Sequence, residues 1–80
     1  MDDRELYEAG RLQMAAGAFE EAVALFLQSV TLNPHFKALE LLGECRLRLQ
    51  QWKEAIIPLA AATTLNRQSR APSLLAEALE

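Results

Sequence analysis

Two stretches of the chain carry one pattern: residues 4–34 read RELYEAGRLQMAAGAFEEAVALFLQSVTLNP, and residues 37–67 read KALELLGECRLRLQQWKEAIIPLAAATTLNR. Identical residues recur at a spacing of 33, namely Leu6/Leu39, Gly10/Gly43, Glu21/Glu54, Ala22/Ala55, Thr31/Thr64, Leu32/Leu65 and Asn33/Asn66. A period near this length indicates one supersecondary unit stacked on a copy of itself. Stacked units of this kind present surfaces to other molecules, so the repeat indicates a binding function rather than a catalytic one.

The spacing of apolar residues is helical throughout, and no segment alternates with a period of two. Five helices are predicted, from Asp3 to Ala16, from Phe19 to the residue before Asn33, from Pro34 to Leu49, from Trp52 to Asn66, and from Ser69 to Leu79. Asp2 and Asp3 suit a helix N-cap, and Gly17 suits a left-handed helix end. Asn33 is expected to cap the third helix, with Pro34 at its first position. Pro58, inside the fourth helix, is expected to bend it.

The predicted fold class is all-α, with helix-turn-helix repeats stacked as an α-α superhelix. Repeat 1 covers about residues 3–35, repeat 2 about 36–68, and a terminal helix about 69–79, all within one domain of 80 residues. Each hairpin is too small to bury its apolar face alone, so the two copies must stack.

The order of large and small residues resembles the tetratricopeptide repeat. The residues that carry the resemblance are Leu6, Ala9, Gly10, Ala22, Phe26 and Pro34 in the first unit, and Leu39, Leu42, Gly43, Ala55 and Leu59 in the second. The resemblance implies two repeats plus a C-terminal capping helix. It also implies that Gly10 and Gly43 let paired helices approach closely against Ala22 and Ala55, and that Phe19 and Trp52 fill the hairpin turns. Gln13 and Arg46 depart from the family pattern because they replace its aromatic residues.

Composition excludes several classes of function. The net charge of −3 lacks the surplus of Lys and Arg that nucleic-acid binding requires. No apolar run approaches the roughly 18 residues of a membrane span, and the acidic N-terminus is unlike a secretory signal. A single cysteine cannot form an internal disulfide, which fits a reducing, cytoplasmic setting.

Few residues suggest reaction chemistry. His35 is the only histidine and has no partner at metal-ligand spacing. Cys45 lies on an apolar helical face, as a small buried residue does. The acidic pair Glu20 and Glu21 suits a helix N-terminus, while Glu40 and Glu44 are interpreted as a solvated helix face. We therefore expect no enzyme activity, no metal and no cofactor.

The resemblance places one set of residues along a concave groove formed by the first helix of each hairpin: Arg4, Tyr7, Arg11, Lys37, Glu40, Glu44, Leu47, Arg48 and Arg70. Basic residues predominate there, so the sequence predicts a peptide or partner helix held by Arg and Lys at its acidic groups. Tyr7 and Leu47 are expected to add apolar contact. The carboxylate clamp of some family members does not carry over, because Tyr7, Arg11 and Leu41 stand at its positions.

A second hypothesis concerns the outer helices, which contain no charged residue between Glu21 and Lys37 or between Glu54 and Arg67. An outer helix normally carries a charged stripe. The residues expected to face water in the fourth helix are Ile57, Ala60, Ala61 and Thr64. This surface predicts weak self-association into a homo-oligomer or assembly subunit. The sequence leaves both hypotheses open.

Overall fold

The computed structural model describes all 80 residues, and five helices account for most of them. Their bounds are α1 Asp3–Ala15, α2 Phe19–Leu32, α3 Phe36–Arg48, α4 Trp52–Leu65 and α5 Ala71–Leu79, and there is no strand. The helices pack in sequential pairs, α1 on α2, α2 on α3, α3 on α4 and α4 on α5, while α5 also touches α3. The predicted all-α repeat arrangement is confirmed.

Residues at equivalent positions of the two repeats end α1 and α3 in the same way. Gly17 has a φ of 80°, and Gln50, which lies 33 residues later, has a φ of 60°. Gly17 N donates to Met14 O at 3.0 Å, and Gln50 N donates to Leu47 O at 2.9 Å. The left-handed conformation costs glycine little, but it is uncommon for a residue that carries a Cβ. The shared hydrogen bond shows that the turn is kept although the second repeat lacks the glycine.

In each hairpin, one large side chain of the second helix packs directly against a glycine of the first helix. A Cβ at Gly10 would lie 2.7 Å from Phe26 Cε1, and a Cβ at Gly43 would overlap Leu59 Cδ2. Close approach at the glycines is therefore confirmed, and the side-chain atoms nearest to them belong to Phe26 and Leu59. The glycines leave room for a large side chain, and Ala22 and Ala55 are fully buried in the same clusters as Phe26 and Leu59.

Two buried clusters form the core. Between the repeats lie Ala22, Val23, Phe26, Leu41, Leu42 and Cys45, with Phe19 packed against them. Between α3, α4 and α5 lie Leu47, Ala55, Leu59 and Ala78. Trp52, expected to fill the second hairpin turn as Phe19 does the first, is instead 47% exposed.

The link between the repeats differs from its prediction. Helix α3 begins at Phe36 rather than Pro34, and its cap is His35, whose Nδ1 accepts a hydrogen bond from Lys37 N at 3.2 Å. Asn33 is not the cap, because its backbone N–H closes α2 on Ser29 O and its side-chain amide donates to Asp3 Oδ2 at 3.1 Å. The backbone N–H of Asn33 therefore ends α2 and its side-chain amide binds α1, so neither group caps α3.

The ends of the other helices follow the sequence more closely. At α1, Glu5 N donates to Asp2 Oδ1 at 2.8 Å and Asp2 N donates to Glu5 Oε1 at 3.1 Å, which completes a capping box. Helix α5 begins at Ala71, two residues after the predicted start, with Pro72 in its first turn. Helix α4 continues through the buried Pro58.

We expect Gly43→Ala to lower the free energy of unfolding by about 1–2 kcal/mol, because overpacking outweighs the better helix propensity of alanine. Urea unfolding followed by circular dichroism measures the loss. In the Leu59→Ala background the added methyl has room, so the double variant should lose less than the sum of the two single losses. Additive losses, or a Gly43→Ala protein as stable as the parent, would contradict this packing.

Candidate functional site

On the predicted inner face, a groove runs between α1 and α3, and its floor is apolar and accessible. It has a volume of about 540 Å³ and is lined by Arg11, Met14, Ala15, Phe19, Leu41, Glu44 and Arg48. Three of the predicted groove residues, Arg11, Glu44 and Arg48, are thus brought together. We call this the α1–α3 groove.

A second cavity, of about 640 Å³, lies at the start of α1. It contains the predicted residues Arg4 and Tyr7, together with Asp2, Asp3, Glu8 and His35. The Tyr7 ring lies 6.0 Å from the ring of Phe26 and 6.5 Å from that of His35, measured between centroids. Burial raises the pKa of Tyr7, and the nearby Arg11 guanidinium partly offsets that rise. Five of the predicted inner-face residues therefore line one of two cavities, whereas Lys37, Glu40, Leu47 and Arg70 line neither.

Glu40 and Glu44, one turn apart on α3, are the centre of an ion cluster. Glu40 is fully buried and Glu44 is 7% exposed. Arg70 Nε lies 3.4 Å from Glu40 Oε1, and its Nη2 is hydrogen-bonded to Glu44 Oε1. The hydrogen bond to Glu44 is the main reason that the pKa of Arg70 is raised. Interpreting these carboxylates as a solvated helix face was wrong, because a guanidinium from the α4–α5 link covers them.

Two further cations complete the cluster from within α3. Lys37 Nζ lies 3.8 Å from Glu40 Oε1, and Arg48 Nη2 lies 3.6 Å from Glu44 Oε2. Glu40 Oε2 is buried with no hydrogen-bond partner. Burying a carboxylate costs free energy unless the carboxylate is paired, so these cations stabilise the fold by pairing with Glu40 and Glu44. Lys37 and Arg70 are thus engaged within the fold, whereas the sequence assigned them to a ligand.

Leu47 corrects another expectation. The sequence places it in the groove as an apolar contact for a ligand, but only 7% of it is exposed, and it packs with Leu59 and Ala78. Helix α5 covers this face of α3. The apolar surface of the groove comes instead from Met14, Phe19 and Leu41.

Sequence reasoning missed the groove floor and the role of Arg70. Part of the cluster had a visible signal, since Lys37, Glu40, Glu44 and Arg48 are spaced by three or four residues and fall on one stripe of a helix. Arg70 had none, because it lies 30 and 26 residues from its two partners. Met14 and Phe19 meet Leu41 only when the repeats stack.

Two observations concern the side chains that could react or bind a metal ion. Burial raises the pKa of the Cys45 thiol from 9.0 to about 11, so the thiol is un-ionised at neutral pH. The thiolate is the nucleophilic and metal-binding form of cysteine. No three His, Cys, Asp or Glu side chains are arranged so that they could hold a metal ion.

Comparison with known proteins gives no relative from which a role could be taken: no protein-family model matches the chain, and no curated protein matches it. None of the five helices combines the length and the apolar character needed to cross a bilayer. The groove and the exposed surfaces are therefore the features of the molecule that bear on its function.

Replacing Arg70 by alanine should lower the free energy of unfolding by about 1–3 kcal/mol, because two buried carboxylates lose their shared partner. The expected loss is less than for a fully buried pair, because the Arg70 side chain is 59% exposed and Lys37 and Arg48 remain. Arg67→Ala is the matched control, since Arg67 is an exposed arginine of the same link without an ion pair, and it should change stability by less than about 0.5 kcal/mol. Urea denaturation of both variants provides the measurement, and equal stabilities would contradict the structural role of Arg70.

Proposed function

We propose that this chain is a non-enzymatic interaction module of the tetratricopeptide type, which binds a peptide or partner helix along the inner face of α1 and α3. The observation that carries the proposal is the α1–α3 groove, where an apolar floor opens between two arginines. Surface complementarity is then the whole mechanism, with no bond made or broken. The 33-residue repeat supports the family assignment, because its glycines and large residues fall where the helices of each hairpin meet.

The proposed partner is a protein or peptide, and the proposed setting is cytoplasmic. The acidic balance of the chain speaks against nucleic acid as a ligand. The buried, un-ionised thiol of Cys45 is compatible with a reducing compartment.

Titration of the ¹⁵N-labelled protein with pools of acidic and of basic peptides tests the proposal. We expect the acidic pool to shift amide resonances of α1 and α3 and to lose that effect at high salt, because Arg4, Arg11 and Arg48 are exposed cations on those helices. Affinity should be micromolar at best, since each exposed ion pair contributes only about 0.2–1 kcal/mol. Shifts confined to α2 and α4, or a preference for basic peptides, would contradict it.

Self-association through α4 is the second candidate function, favoured by the exposure of Ile57. This side chain is 79% exposed on a helix whose neighbouring positions Ala60 and Thr64 are also exposed, while Ala61 is half-buried. An exposed apolar residue among small ones allows close approach of a second copy. The association would leave the α1–α3 groove accessible, so the two candidates can be tested separately.

If α4 pairs between copies, Ile57→Glu should lower the weight-average mass in sedimentation at high protein concentration. The substitution suits the test better than one at Ala61, because the Ile57 side chain has few contacts to lose within the monomer. Gln28→Glu, an exposed position of α2, serves as the control for added charge. A parent protein that stays monomeric near millimolar concentration would leave Ile57 as ordinary surface.

A further inference from the structure

The floor of the α1–α3 groove is suited to a single apolar side chain. Met14 and Ala15 come from the last turn of α1, Phe19 from the first residue of α2, and Leu41 from α3. Three of these residues pack against the core below: Leu41 is buried, and Met14 and Phe19 are half-buried. The floor is therefore held in place before any ligand arrives, which lowers the entropic cost of binding.

Two arginines on the rim of the groove are available to a ligand. Arg11 Nη1 lies 3.7 Å from Glu8 Oε1 and Arg48 Nη2 lies 3.6 Å from Glu44 Oε2, and their side chains are 56% and 61% exposed. The Arg11–Glu8 pair is exposed on both sides and contributes little to stability, so Arg11 can turn to a carboxylate of a ligand at small cost. Arg48 faces the nearly buried Glu44, and its guanidinium can keep that partner while its remaining N–H groups meet a ligand carboxylate.

Glu44 also lines the groove and would repel an acidic ligand if it were unpaired. Its carboxylate, however, is held on one side by Arg70 and on the other by Arg48. Counting the cations Arg11, Lys37, Arg48 and Arg70 against Glu8, Glu40 and Glu44 leaves one positive charge in excess around the groove. The groove thus combines an apolar floor with a cationic rim.

We propose that the α1–α3 groove recognises a segment of another protein in which one leucine-sized apolar side chain is directly flanked by Asp or Glu. The apolar side chain enters the space above Met14, Phe19 and Leu41, and the neighbouring carboxylates meet Arg11 and Arg48. This inference rests on the proposed function and narrows its partner to an acidic segment with a single apolar anchor. Lys37, Leu47 and Arg70 take no part in recognition, because the fold uses them internally.

Three fluorescein-labelled heptapeptides test the inference by anisotropy. The first carries a central Leu between two Glu residues, the second replaces both Glu by Gln, and the third replaces Leu by Ser. The first should bind at least about 5-fold more tightly than either of the others, and its advantage over the Gln peptide should shrink in 1 M salt. Arg11→Gln and Arg48→Gln should each weaken its binding about 2–5-fold, whereas Arg67→Gln should not.

Filling the groove gives a test that does not depend on charge. Ala15 is exposed and lines the groove, and the adjacent Ala16 is exposed but does not. Ala15→Phe should abolish binding of the first peptide, while Ala16→Phe should leave it within about 2-fold, with thermal unfolding showing that both variants fold. Equal binding of the Glu and Gln peptides, or binding that survives Ala15→Phe, would overturn the inference.

The ¹⁵N amide titration, repeated on the Ala15→Phe protein, separates this inference from the proposed function. If peptides shift α1 and α3 amides in the Ala15→Phe protein, the inner face still binds and only the assignment to the α1–α3 groove fails. If no peptide of any composition shifts those amides in the parent protein, both proposals fail. A parent protein that dimerises in sedimentation and loses the dimer on Ala15→Phe would show a second copy in the groove and would also overturn the inference.

Discussion

Insertion of a large side chain against a glycine is the packing constraint on which the rest of the structure depends. Phe26 and Leu59, both fully buried, lie where a Cβ on Gly10 or Gly43 would stand. This contact sets how closely the two helices of each hairpin approach. Because both hairpins use it, they have matching shapes and can stack, and stacking creates the core and the groove.

The ion cluster on α3 shows how the terminal helix becomes part of the fold. Helix α5 is short and touches α3 through a small contact. Its approach brings Arg70 to Glu40 and Glu44, which would be costly to bury alone. The cluster therefore links the start of α5 to the centre of the molecule, and it removes two of the expected binding cations, Lys37 and Arg70, from the inner face.

The division between internal and available charge narrows what the inner face is proposed to recognise. A count of basic residues along the sequence treats Lys37, Arg48 and Arg70 as equivalent to Arg11. In the fold, Arg70 binds two buried carboxylates, whereas Arg11 and Arg48 each make one longer ion pair beside an apolar floor, Arg11 with the exposed Glu8 and Arg48 with the nearly buried Glu44. The proposed recognition is therefore concentrated at one end of the predicted groove.

The sequence by itself determined the helical class, the repeat and most helix bounds, because apolar spacing, caps and a 33-residue period are local properties of the chain. It also indicated the close approach at Gly43. The tertiary structure alone decided that Leu47 is covered, that Arg70 reaches Glu40, and that Met14 meets Leu41 across the repeats. These outcomes depend on which helices become neighbours, and contacts between residues some 30 positions apart leave no trace in local spacing.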